Sequence, residues 1–453
     1  MHLTDQSPEP TPSLGVFDTG LIIVGIVVGA GIFALPSLVA ANTGTLLSFA
    51  AAWIFGGVVS LAGALCYAEL ATTYPHSGGE HHFLRRAFGA GTGVLFAWSR
   101  LAVLQTGSIA IQAYIVGDYL TRLAPLGERS ATLYAALTVL FITGINVMGL
   151  RQGRWAQTTL ALATCLGVLL VAATGLLGSP AEAVVVALPA DAAHPPAFGL
   201  AMVFVLLAFG GWNEAAYVSA DVSRRNLVRA LIWGIGAITV IYLLVNFAYV
   251  RGLGLGGLSS SKAVAAELVE RMAGPELAAF TSTIIAVAAL STMNATTITG
   301  GRSHFALGRD VPVLRALGRT AAPGGTPRNA LLAQGAISLA LVASAALTRD
   351  GFVAMIEYTA PVFWFFFLLV GVSVFVLRRK DPDRPRTFRV PLYPLTPLVF
   401  CGVCLYMIRS SLAHTGWGAL VGVGVLLAGL PLLWLGRTRL PPASTLNQEQ
   451  IHP

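Results

Sequence analysis

The feature that most constrains this chain is the recurrence of apolar runs of about 18 residues or more. That length carries a helix across the ~30 Å hydrocarbon core of a bilayer. Inside lipid a spanning segment must pair every backbone N–H and C=O within the protein. A hydropathy pass places about twelve spans, with ends good to about four residues. They lie at roughly 15–41, 45–72, 90–122, 131–150, 155–178, 198–222, 228–251, 275–300, 329–348, 352–377, 391–412 and 415–436. Of the 453 residues, 55% are hydrophobic and 11% charged, whereas a soluble globular chain carries roughly 25% charged residues. The sequence predicts an all-α polytopic membrane protein and excludes an ordinary soluble enzyme.

A formal net charge of +8 would by itself suit nucleic acid, but the charges are sorted by side. About twenty Lys and Arg fall on alternate loops between spans, among them Arg85, Arg86, Arg151, Arg224, Arg225, Arg302, Arg378 and Arg389. The arginine-rich side is cytoplasmic by the positive-inside rule. An even number of spans then puts both termini in the cytoplasm, at the cell (inner) membrane. No nucleic-acid partner is expected; the bilayer is the partner. The 378–389 connector reads as a solvated cytoplasmic loop within reach of anionic lipid. Residues 1–14 and 437–453 are polar and proline-bearing, and are expected to be disordered cytoplasmic ends. Between them lie a core at 15–377, in two blocks of about 15–178 and 198–377, and two further spans at 391–436. No basic region precedes the first span, so no cleaved signal peptide is expected. Cys66, Cys165, Cys401 and Cys404 lie in apolar helical stretches and read as buried free thiols. The Cys401-x-x-Cys404 spacing lacks the βαβ context of a redox motif.

Two spans are broken. Span 1 contains "GIVVGAGIFALP" (25–36), with Gly-Ala-Gly at its centre and Pro36 soon after. Span 6 contains "FVLLAFGGWNEAAYVSADV" (204–222), interrupted at Gly210-Gly211 and followed by polar Asn213 and Glu214. A glycine costs about 1 kcal/mol against alanine inside a helix, and an unpaired backbone group in hydrocarbon costs several more. Such breaks persist where something polar fills them. Five spans separate the two, and five is odd, so the second block enters from the opposite side. This is a 5+5 inverted repeat with discontinuous spans 1 and 6, an arrangement that points to a transporter site. Amides at Gly29, Ala30 and Gly31, at the positive end of a half-helix, suit a carboxylate. Carbonyls freed around Ile26, Val27 and Val28, and at Leu207, Ala208 and Phe209, suit an ammonium group. A zwitterion satisfies both. Gly25-x-x-x-Gly29 could equally be a helix-packing face; the matched positions of the two breaks favour binding.

At these residues the chain resembles the amino acid–polyamine–organocation (APC) superfamily, closest to the L-type amino acid transporters and their bacterial relatives. "AELATTYPHSGGEHHFLRRAFG" (68–89), "FAWSRLAVLQTGSIAI" (96–111), "FGGWNEAAYVSADVSRRNLVRAL" (209–231) and "LSTMNATTITGGRSHFALGRD" (290–310) extend the likeness over about residues 15–410. The resemblance implies the 5+5 fold with two added helices and alternating-access transport of amino acids. A bundle of spans 1, 2, 6 and 7 would rock against spans 3, 4, 8 and 9. It puts the substrate carboxylate at Gly29, Ala30 and Gly31, and the amine near the carbonyls of Ile26, Val27, Leu207, Ala208 and Gly210, with Asn213 close by.

The chain also departs from the family pattern. Leu207 stands where many L-type relatives carry a gating aromatic, so Phe209 or Trp212 is the alternative cover. Thr164, seven residues after Gln157, stands where many relatives place a lysine; the only lysines are Lys262 and Lys380. Either Na⁺ replaces that cation, held by Thr164, Ser291 or Thr292 with span 1 carbonyls, or transport needs no ion. Residues 121–130 hold no cysteine, which excludes a disulfide there to a heavy chain. Glu214 is either a proton carrier or the structural partner of Arg100. No other acidic residue is expected on the pocket walls, so neutral amino acids are favoured over cationic ones or polyamines. His76, Glu80, His81 and His82 read as a cytoplasmic loop, where adjacent histidines seldom chelate one ion; no cofactor is expected beyond a Na⁺ or H⁺ coupling ion. No selectivity-filter repeat supports a channel, and no nucleophile–base constellation supports a membrane enzyme. Symport, antiport and facilitated exchange all stay open.

Overall fold

The computed structural model describes residues 28–76, 78–149, 154–178, 197–216, 223–320, 325–348, 350–414 and 417–435. The expectations for Ile26, Val27 and both polar ends lie outside the described residues. Among the described residues every regular element is helical. A 3₁₀ turn at Ala30–Phe33 leads into α1 (Leu35–Thr43), followed by α2 (Leu46–Thr73), α3 (Gly79–Phe88) and α4 (Ala90–Leu123). Next come α5 (Ser130–Val147), α6 (Arg154–Leu177) and α7 (Phe198–Ala208), the last followed by a second 3₁₀ turn at Trp212–Ala216. The second half holds α8 (Arg224–Ser260), α9 (Val264–Ala273), α10 (Pro275–Asp310), α11 (Arg328–Ala345) and α12 (Gly351–Lys380). The chain closes with α13 (Leu395–His414), α14 (Trp417–Leu427) and α15 (Leu430–Leu435).

Seven of these helices are long and apolar enough to cross a membrane, and three shorter apolar stretches lie at Ala163–Leu177, Phe198–Ala208 and Trp417–Leu433. The outer surface carries large apolar side chains such as Leu47, Phe55, Phe141, Trp233, Phe247 and Leu405. An apolar face of that kind is buried by lipid rather than by protein. Inside, small residues let helices approach closely. An added Cβ at Gly63 of α2 would stand 2.6 Å from the Trp212 and Phe400 rings. Caps fix several helix starts: Thr45 and Ser48 form a reciprocal capping box on α2, and the Asp350 carboxylate accepts from the Val353 amide at the start of α12.

Four expectations need correction. Residues 79–88 are not a loop but helix α3. Its buried positions Glu80, Phe83, Leu84 and Ala87 repeat at i, i+3, i+4 and i+7, one face of a helix. A second amphipathic helix, α9, occupies part of the segment after span 7, and α8 runs on to Ser260 through a bend at Gly254, whose φ of +67° favours glycine. Cys165 is exposed rather than buried. The 378–389 connector is not free in solvent. Arg378 donates to both oxygens of buried Glu69 at 2.7 and 2.5 Å, and the Val390 amide donates to the same carboxylate at 2.7 Å. Asp381 accepts from the Tyr74 hydroxyl at 2.8 Å and pairs with Arg86 at 2.9 Å. The Arg384 Nε donates to the Thr73 carbonyl at 3.1 Å. The connector thus straps the ends of α2, α3 and α12 together.

Candidate functional site

The site begins with one helix start and one helix end that fail to be regular. Gly29 is extended (φ −98°, ψ −172°), the following four residues wind as a 3₁₀ turn, and α1 starts at Leu35 with Pro36 in its first turn. Proline has no N–H to lose there, so it suits a helix start. In the second half α7 ends at Ala208, and Gly211 takes a φ of +114°. That conformation favours glycine because it lacks a Cβ, and it redirects the chain into the Trp212–Ala216 turn. The two irregular stretches touch: a Cβ on Gly31 would stand 3.7 Å from the Ala208 Cα.

Three buried tyrosines satisfy the carbonyls released by this geometry. Tyr249 donates to Ile32 O at 3.3 Å, Tyr119 to Phe33 O at 2.8 Å and Tyr242 to Ala208 O at 3.0 Å. The Gly210 amide donates to Leu207 O at 3.0 Å. The Leu207 and Ala208 carbonyls are therefore already engaged, and each offers a ligand only its second lone pair. The N–H groups of the first turn after Gly29 are a different case, because a helix start has no intrahelical acceptors for them.

Both breaks open on one cavity of about 480 Å³. Gly29, Gly31, Leu207, Ala208, Gly210, Gly211, Asn213 and Glu214 line it. Thr164, Ser291 and Thr292 line the same cavity. Part of the lining is polar, with Gln105, Ser108 and Gln112 from α4 and Thr296 and Thr299 from α10. The α12 wall is aromatic, with Phe352, Phe363, Trp364, Phe366 and Phe367. Three expected site residues point elsewhere. Ala30 is fully buried off the cavity. Phe209 packs between Trp53 and Tyr242, at 6.2 and 5.0 Å between ring centroids. Trp212 packs edge-on against Tyr67 at 5.0 Å and beside Phe367 at 5.4 Å. Neither ring covers the cavity: Phe209 still follows the helical path at the end of α7, and the turn at Gly211 aims the Trp212 indole at α2 and α12.

The charges also pair differently from expectation. Arg100 faces Glu80 at 3.9 Å, with both side chains buried, rather than Glu214. Glu80 is a lining residue that sequence reasoning missed. Its Oε1 accepts from the Tyr67 hydroxyl at 2.5 Å and from the Asn213 amide nitrogen at 3.3 Å. Its place on the apolar stripe of α3 was the available signal. Arg100 opens a π turn at Arg100–Leu104 inside α4, a distortion often found at functional sites. The Tyr358 hydroxyl donates to Ala102 O within that turn at 2.7 Å. Below the cavity, His76 and His82 stack with centroids 4.2 Å apart. Among the described residues no three His, Cys, Asp or Glu converge to hold a metal. The arrangement is built for holding a small polar solute between backbone ends, a polar wall and an aromatic wall.

A family model described as amino acid permease matches residues 14–425. The mouse b(0,+)-type amino acid transporter 1 is 29% identical over 434 residues, covering 93% of this chain and 87% of that protein. The mouse large neutral amino acids transporter small subunit 2 is 28% identical over 458 residues, covering 96% of this chain and 84% of that protein. The rabbit b(0,+)-type transporter is 30% identical over 396 residues, covering 84% of this chain and 80% of that protein. A model matching most of the chain, and relatives aligned along nearly all of it, make this a multi-pass member of the amino acid permease family, a family of membrane transporters and not of enzymes.

Proposed function

We propose that this protein is a secondary transporter or exchanger that moves amino acids, chiefly neutral ones, across the cell membrane by alternating access. The observation that carries the reading is the meeting, on one cavity, of the irregular helix start after Gly29 and the irregular helix end at Leu207–Gly211. Amides follow Gly29 on one side, and the carbonyl-bearing turn at Leu207–Gly211 lies on the other. A carboxylate at the first and an ammonium at the second each gain about 0.3–2 kcal/mol from a helix end, so the head of a zwitterion uses both. The names of the relatives, one of them for large neutral amino acids, agree with that substrate. The paired breaks also support twelve spans in a 5+5 inverted repeat with two added helices and a core over 15–377, and the arginine-rich alternate loops support both termini in the cytoplasm.

Cationic amino acids are the second reading, because Glu214 lines the cavity and a carboxylate there complements a second ammonium. Two coupling ions fit the residues: Na⁺ at the hydroxyls of Thr164, Ser291 and Thr292, which supply hard oxygen donors, or a proton at Glu214. Exchange without an ion is the third arrangement. Uptake into proteoliposomes, with unlabelled amino acids as competitors and Na⁺ or a pH gradient varied, tests all of this. Neutral amino acids should compete. If no zwitterionic amino acid competes, the backbone clamp is wrong.

A further inference from the structure

We propose that Glu80 is a positioning residue for the substrate clamp, acting through Asn213 on the backbone at Gly211. The inference rests on the transport reading above. Glu80 comes from α3, a helix with no part in the clamp itself, yet its carboxylate is buried at the cavity floor. Three other elements meet it there: Tyr67 of α2, Arg100 of the π turn in α4, and Asn213 of the turn after α7. The Asn213 amide links Glu80 to the backbone of its own turn. Its nitrogen donates to Glu80 Oε1 at 3.3 Å, and its oxygen accepts from the Gly211 amide at 3.3 Å. Gly211 is the glycine at φ +114° that turns the chain out of α7, and it lines the cavity beside Gly210. A short relay therefore runs from α3 to the stretch proposed to grip the substrate amine.

The geometry separates two roles for Glu80. Arg100 lies at 3.9 Å, beyond direct hydrogen-bond length, so it supplies charge neutralisation. Asn213 and Tyr67 lie within hydrogen-bond length and need only an oxygen at that point. Reach, rather than charge, is what holds Asn213.

Two conservative variants divide these roles in the full-length protein reconstituted in liposomes. Glu80→Gln keeps the oxygen and loses the charge. Glu80→Asp keeps the charge and withdraws the oxygen by one methylene. Amino acid uptake by Glu80→Asp should show KM raised about tenfold, the size of one lost hydrogen bond to a charged group. Asn213→Ala should match it. The double variant should be no worse than either single one, since both cut the same relay. Glu80→Gln, which keeps the oxygen, should raise KM clearly less than Glu80→Asp does. Thermal unfolding of each variant checks that the protein is folded. The proposal is overturned if Glu80→Gln raises KM as much as Glu80→Asp, if Glu80→Asp leaves KM unchanged, or if the effects of Glu80→Asp and Asn213→Ala multiply. Failure of the wild-type protein to move any amino acid would instead remove the transport reading.

Discussion

Gly31 shows how little room the site leaves at the residue scale. A Cβ there would stand 3.2 Å from Leu35 Cδ1 and 3.7 Å from Ala208 Cα. The leucine tip can give way to a methyl, but the branched side chain of valine would push into the gap between the two breaks. Gly31→Val should insert into the membrane at wild-type level and lose uptake. Membrane content by immunoblot and uptake in the same vesicles check both halves, and unchanged uptake would count against the clamp. The glycines and Asn213 were legible as candidates because backbone freedom and polarity in a hydrophobic run are local properties. The directions of Phe209 and Trp212 were not, because the rotation of α7 about its axis and the turn at Gly211 decide which neighbours those rings meet.

At the scale of one element, α3 shows how an amphipathic pattern carries both packing and charge. Its buried face presses Phe83 and Leu84 inward, and its other positions bring histidines beside arginines. Burial, followed by the charge of Arg85, holds His81 down to about 4. Burial, then His76 and Arg86, holds His82 down to about 3. The usual histidine value is about 6.5, so the unfolded chain binds protons that the folded chain refuses. Stability from these two groups is therefore full above about pH 6.5 and falls as pH drops toward 4 and then 3. Asp381 adds to the loss at the acid end. Burial raises its carboxyl, but hydrogen bonds from Tyr74 and Arg86 outweigh that and hold it below its ordinary value. Its stabilisation disappears as pH falls through that lowered value. Thermal unfolding of detergent-solubilised protein should show a midpoint falling from pH 7 to 4, and His81→Gln with His82→Gln should flatten the fall. A flat wild-type profile would contradict the partly buried placement of both rings beside the arginines. The i, i+3, i+4, i+7 stripe at 80, 83, 84 and 87 was readable before any coordinates. What hid it was the cluster of polar residues between, which suggests a loop.

For the whole molecule, the twenty or so arginines and lysines on alternate loops set the expected orientation. Reporter fusions should place the N-terminus and C-terminus on the same, cytoplasmic face, and reporters at the loops near residues 126 and 274 on the opposite face. A split between the two ends would break the even count of spans. The sequence by itself determined the membrane environment, the helical class and the glycines at which regular helix gives way, because hydropathy and glycine content act along the chain. Only the tertiary structure decided that Glu80 rather than Glu214 faces Arg100, that tyrosines occupy the Ile32, Phe33 and Ala208 carbonyls, and that the 378–389 connector binds Glu69 through Arg378 and Arg86 through Asp381. Those partners are joined by folding across tens to hundreds of residues, and the choice among them depends on the rotation of each helix about its axis, which no local pattern encodes.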